Sequence, residues 1–264
     1  MLNLKKYSGL LAGFFFWGEA TAQDIMPATG PMVTDRPDAT ESARIVPRTY
    51  LQIESGSYYE SFREGNGSYR THGYNTTLIR YGLLDNLELR LGWDYEEQIA
   101  RVAPSTSSLL SGLSPLLFGV KVAISEEKTG GPAMAVLGHL ALPFFAGVDF
   151  RPATTGIDLR FAFSHTLSEK SSLGYNLGAE IGGDDPQLRY HYSMSYGYAM
   201  TSSLGFYMEV YGDFPELGSA DHYADLGATY LIRPNVEFDA TLGKSITQGQ
   251  DLLLSAGVSF RFPD

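Results

Sequence analysis

Between residues 87 and 96 apolar and polar positions alternate without a break. Leu87, Leu89, Leu91, Trp93 and Tyr95 form one set, and Glu88, Arg90, Gly92, Asp94 and Glu96 the other. A period of two is that of a β-strand, whose successive side chains face opposite ways. The segment therefore carries hydrocarbon on one face and charge on the other. The same alternation returns from Thr49 to the last residues. Phe118, Val120, Val122 and Ile124 oppose Gly119, Lys121 and Ala123; Ile157, Leu159, Phe161 and Phe163 oppose Asp158, Arg160 and Ser164. Counted in this way the chain holds about twelve strands, an even number, as single-chain bacterial barrels require.

The connections between these segments alternate in length. Compact turns are expected at 84–86, 125–131, 168–171, 201–202 and 233–235, and longer polar loops at 61–73, 97–115, 143–155, 182–187, 214–221 and 245–250. Short turns at one end and long loops at the other are the marks of an antiparallel up-and-down barrel in an outer membrane, with the short turns in the periplasm. Both chain ends are then expected on the periplasmic side.

Periodicity does not say which face is outside, but strand number does. About eight strands enclose a space that side chains can fill. Twelve enclose more, so an apolar interior would be left with voids, whereas a wetted polar interior behind an apolar exterior suits lipid. Lipid also demands closure, because an open sheet edge would leave backbone groups unpaired. The expected fold is all-β, a transmembrane antiparallel barrel. Tyr50, Tyr81, Tyr230 and Phe262 are expected near the periplasmic rim and Tyr59, Trp93 and Tyr95 near the outer rim, where aromatic rings favour the interface.

Composition narrows the function. The 264 residues carry a formal charge of -11 and no cysteine, with 17 tyrosines and 29 glycines. Disulfides, thiolate metal sites and cysteine nucleophiles are excluded together, and without a basic stripe no nucleic-acid partner is expected. A mean hydropathy of -0.11 excludes a helical membrane bundle but suits strands that are apolar one residue in two. At the N-terminus Lys5 and Lys6 precede an apolar run over 10–17, and Ala20, Thr21 and Ala22 offer a signal peptidase its small residues. A helical span needs about 20 apolar residues, more than this run supplies. The expected division is a signal peptide over 1–22, a periplasmic or lumenal arm over 23–48 that holds four prolines and no periodicity, and the barrel over 49–264.

The run from Thr34 to Ser42, Thr-Asp-Arg-Pro-Asp-Ala-Thr-Glu-Ser, followed by Val46-Pro47 and Gln52-Ile53-Glu54-Ser55-Gly56, resembles a family of bacterial outer-membrane transporters associated with the meta-pathway of phenol degradation. Leu78-Ile79-Arg80-Tyr81-Gly82-Leu83, Asp85-Asn86 and Glu88-Leu89-Arg90-Leu91-Gly92 match that family's second and third strands. The resemblance implies an outer-membrane barrel that takes up small molecules, aromatic or hydrophobic compounds among them, by facilitated diffusion through its lumen. One departure is the C-terminus, where Pro263 and Asp264 follow Phe262 in place of a terminal aromatic residue.

Candidate lumen residues are the inward charges. Glu54, Arg80, Glu88, Arg90, Asp94, Lys121 and Arg160 are of mixed sign, whereas a wide pore selecting one ion sign would show a ring of that sign. A constriction crossed by ion pairs is expected, with Glu54, Arg80, Glu88 and Arg90 in one network. In the arm, Asp35, Arg36, Asp38 and Glu41 are candidates to thread into the lumen as a plug or gate. His139 and His191 point inward; His222 beside Asp221 comes nearest to a catalytic arrangement but lacks a third group, so no catalytic residue is assigned. The acidic pairs Asp184-Asp185 and Glu96-Glu97 are candidates for divalent ions bridging lipopolysaccharide. No cofactor and no resident metal are implied. The expected partners of this monomer in the cell outer membrane are lipid and lipopolysaccharide, the barrel-insertion machinery and a small solute. A surface-interaction barrel without transport and a barrel hydrolase are the alternatives.

Overall fold

A computed structural model describes residues 30–64, 67–102, 106–247 and 249–263; the expected signal peptide and the first residues of the arm lie outside them. The strands are β1 (Leu51–Glu64), β2 (Gly67–Leu84), β3 (Leu87–Val102), β4 (Thr106–Leu113), β5 (Leu116–Ser125), β6 (Ala133–Leu142), β7 (Gly156–Thr166), β8 (Ser171–Ile181), β9 (Leu188–Ala199), β10 (Leu204–Pro215), β11 (Asp221–Arg233), β12 (Val236–Ser245) and β13 (Gln250–Phe262). Pairing is antiparallel throughout, and β1 meets β13 to close the sheet. β4 pairs with the distal part of β3, from Tyr95 to Val102, and β5 with its proximal part, from Leu87 to Gly92. They are two pieces of one wall strand interrupted at Ser114-Pro115, where proline has no N–H to give the ladder. The barrel wall is thus twelve strands round.

Two expected loops are corrected. The stretches 61–73 and 97–115 are largely strand: Ser61 pairs with Arg70 and Phe62 with Tyr69, while Gln98 pairs with Leu110 and Ile99 with Leu109. Polar residues stand on both faces of much of these hairpins, so the apolar–polar alternation fades although the backbone ladder continues. Hydropathy periodicity reports burial on one face, not hydrogen bonding.

Burial is inverted relative to a soluble protein. Among the described residues seven apolar side chains are buried against twenty-two polar or charged ones. On β12 the order is unbroken: Glu237, Asp239, Thr241 and Ser245 are buried, whereas Phe238 and Leu242 are each 48% exposed. Met208, Leu226, Ile157 and Leu254 stand out of the wall in the same way. A contiguous apolar belt of this kind marks a lipid-facing surface. Tyr81, Tyr230 and Phe262 are exposed near the short-turn rim. Tyr50 lies at the same rim, where its carbonyl accepts Gly82 N–H, but it has the inward parity of Gln52, and the Arg261 guanidinium lies 5.8 Å from its ring centre.

Candidate functional site

The arm occupies the lumen. Both ends of its described part, 30–48, are fixed at the short-turn end: Met32 N–H donates to Pro234 O (3.0 Å), Arg261 Nη2 to Gly30 O (2.7 Å) and Thr49 N–H to Gly82 O (2.7 Å). At the return into β1, Thr49 takes a positive φ of 70°, a conformation unfavourable for a β-branched residue. Between these anchors the chain rises into the barrel and crosses it.

The crossing is held by charge. Arg80, on β2, pairs with Glu54 of β1 and Glu88 of β3, each at 2.8 Å, and Arg90 reaches Glu88 at 3.0 Å. The arm enters this network through Asp35, whose Oδ2 lies 2.6 Å from Arg90, 2.6 Å from Lys121 of β5 and 3.2 Å from Arg80. Glu41 caps Arg90 from the other side at 2.7 Å. Backbone groups complete the attachment: Asp35 N–H donates to Glu54 (3.0 Å), Val46 N–H to Glu88 (2.7 Å), and Lys121 Nζ to Ser42 O (3.0 Å). Burial pushes the Asp35 carboxyl up, but Arg80, Lys121 and Arg90 together outweigh it and hold the group well below the usual carboxylate range.

Across the lumen the arm meets the acidic wall. Arg36 binds Asp239 of β12 (3.2 Å), Ser255 of β13 (3.1 Å) and Thr76 of β2 (3.0 Å). Its guanidinium lies where side chains at Gly56 and Gly257 would stand; a Cβ on Gly257 would come within 2.6 Å of Arg36 Nε. Further along, Ala39 N–H donates to Glu209 of β10 (2.7 Å) and the Thr40 hydroxyl bonds the same carboxylate. Asn176 of β8 receives Glu41 N–H (2.7 Å) and donates to Glu41 O (2.9 Å), pairing with the arm as another backbone would. Among the described residues Asp38 has no cation partner: burial and then the Glu209 carboxylate push its own carboxyl well above the ordinary value. On the short-turn side of the arm lies a cavity of about 1020 Å³, walled by arm residues with Glu127, Tyr198 and Arg261.

Of the seven inward charges singled out from the sequence, Glu54, Arg80, Glu88, Arg90 and Lys121 come together on four adjacent wall strands. Asp94 and Arg160 do not join them. Arg160 lies in a separate cluster in which Asp158 receives His191 Nε2 (2.8 Å), His139 Nδ1 (3.2 Å) and Arg160 Nη2 (3.2 Å). That cluster went unread because its four residues lie on β6, β7 and β9. Gly119 and Gly178, the register partners of His139 and His191, leave room for the two imidazoles. The inward tyrosines Tyr58, Tyr207, Tyr211 and Tyr223 were also missed, although they share parity with the inward carboxylates of their strands.

The remaining candidates have structural partners. His222 Nδ1 lies 3.0 Å from Tyr192 Oη, with Phe214 packed edge-on, so Asp221 is not its partner. Asp184 accepts Ala153 N–H (2.8 Å) and Asp185 accepts Gln187 N–H (3.0 Å), both as loop braces. Among the described residues no group of three or more His, Asp or Glu side chains is arranged to hold a metal ion.

The family described as "Putative MetA-pathway of phenol degradation" matches residues 34–262. Among solved structures, the COG4313 outer membrane channel from Pseudomonas putida F1 superposes with a TM-score of 0.65 at 13% identity, covering 87% of this chain and 100% of that one. The translocator domain of the autotransporter NalP from Neisseria meningitidis gives 0.60 at 11% identity, over 82% and 90%. The NanC porin gives 0.50 at 10% identity, over 80% and 98%. Identities this low show a shared barrel fold. Among curated proteins none matches the sequence significantly.

Proposed function

The chain belongs to the family described as "Putative MetA-pathway of phenol degradation", and from that premise we propose that it is an outer-membrane channel for small molecules whose lumen is gated by the arm. The observation that carries this reading is the placement of Asp35: an arm carboxylate seated inside the barrel on three wall cations, Arg80, Arg90 and Lys121. A barrel with only a structural role needs no such removable cross-piece, whereas a channel closed at rest does. The apolar belt supports residence in the cell outer membrane, and the polar lumen supports passage of solutes by facilitated diffusion. The family description points to aromatic compounds, and a polar wall interleaved with tyrosines suits an aromatic body that bears a polar group.

Solute flux tests the proposal. The mature chain, refolded into liposomes, is expected to admit small aromatic solutes faster than empty vesicles do and at rates that depend on solute class. A folded barrel that passes no sugar, amino acid or aromatic acid, with the arm present or deleted, would refute the channel and favour a surface-interaction role. Hydrolysis of lipid or peptide by the purified protein, lost in His222→Ala, would instead make it an enzyme.

A further inference from the structure

We propose that the part of the lumen on the long-loop side of the arm is a binding site for organic ammonium ions. The inference deepens the channel reading above and rests on it for its biological meaning. Its first support is a charge imbalance. Seven cations that face the lumen have other partners: Arg80, Arg90 and Lys121 hold Asp35 and its neighbours, Arg36 holds Asp239 and acts on Asp94 only at longer range, Arg160 holds Asp158, Arg189 holds Glu180, and Arg261 holds Gly30 O at the short-turn end. Glu60 of β1, Asp94 and Glu96 of β3, and Asp225 of β11 are left facing the lumen with no ion pair among the described residues.

The second support is a pair of orphaned acceptors. Asp225 and Gln250 are only 7% and 4% exposed, yet Asp225 Oδ1 and Gln250 Oε1 have no donor among the described residues. Gln250 spends its amide N–H on Glu60 (3.3 Å), so its free oxygen stands beside that carboxylate. A buried acceptor without a donor costs about 1–3 kcal/mol, and a ligand that brings N–H groups relieves it.

The third is aromatic. Tyr211 and Tyr223, register partners on β10 and β11, stack at 5.1 Å between ring centres, and both lie within electrostatic range of Glu60 across the lumen. Tyr58 donates its hydroxyl to Glu96 at 2.9 Å on the opposing wall. Carboxylates attract a cation, and tyrosine faces hold its charge and any attached ring. An ammonium head supplies both the missing charge and the missing donors. A neutral alcohol supplies one donor and no charge, and a carboxylate is repelled.

The test is calorimetric titration of the detergent-folded mature chain with benzylammonium, using benzyl alcohol and benzoate as ring-matched controls. Benzylammonium is expected to bind, benzyl alcohol at least about tenfold more weakly, and benzoate not at all. The double variant Glu60→Gln, Asp225→Asn is expected to lose about tenfold in affinity for benzylammonium. Should that variant fail to fold, Glu60→Gln alone, at a half-buried position, is expected to show a smaller loss in the same direction. Equal binding of the alcohol, unchanged affinity in a folded variant, or no binding by the folded wild type would overturn the site. Binding without solute flux would overturn the channel and leave the site standing; flux without binding would do the reverse.

Discussion

Asp35 concentrates the energetics of the arm. Its carboxylate is 8% exposed as a residue and touches three cations, so removing a partner leaves buried charge uncompensated rather than subtracting one contact. Breaking a buried pair in this way costs about 3–5 kcal/mol. Arg90→Ala, which strips Asp35, Glu41 and Glu88 at once, is expected to lower the unfolding temperature of the detergent-folded barrel and to raise solute flux; an unchanged melt with unchanged flux would dismiss both the structural and the gating role of this network. Charge-paired Asp35 and unpaired Asp38 should also respond oppositely to pH. Asp35 contributes to seating at all pH values above its ordinary value of about 3.9, and that contribution fades only as pH falls through its depressed one. Asp38 is packed against Glu209 and lies near Asp225, Ser195 and Asp35, so burial and its carboxylate neighbours make the seated arm bind this proton more tightly than a released arm would. Seating therefore weakens as pH rises between its ordinary and its raised value. Conductance is expected to increase as the medium is made more alkaline, and Asp38→Asn to flatten that dependence. At this scale the sequence was partly legible. Inward parity picked out Glu54, Arg80, Glu88, Arg90 and Lys121, but it could not bring together His139, Asp158 and His191, whose meeting depends on register.

At the scale of elements, the arm is attached chiefly through side chains of the wall rather than by a strand ladder. Asn176, Glu209, Glu54 and Glu88 each take an N–H of the arm, which satisfies a crossing backbone that has no neighbouring strand. Such a seat can be undone without unfolding the wall. Gly257→Val is expected to do so, because its Cβ would occupy the place of the Arg36 guanidinium. Faster proteolysis of the arm, with the heat-modifiable mobility of the barrel retained, would show it; an arm as protected as in the wild type would mean that Arg36 is dispensable. The strands were readable wherever one face meets lipid and the other the lumen, as on β12. The distal hairpins of β1–β2 and β3–β4 were not, because polar residues stand on both faces there.

For the molecule as a whole, the inverted burial is the decisive property. Ionised side chains such as Arg80, Glu54 and Lys121 fill the interior while Met208 and Leu226 face outward, an arrangement unstable in water and stable in a bilayer. The strand count and alternation announced it. What they could not announce is that the arm lies inside the lumen, since nothing in the periodicity of the wall says where an unpatterned arm will lie. That the arm closes the channel is the central proposal, and single-channel conductance of the chain from residue 23 onward, compared with a variant lacking residues 24–44, tests it most directly. A larger conductance in the deleted form, with the barrel folded, is the expected result. An unchanged conductance in an equally well-folded barrel would contradict it.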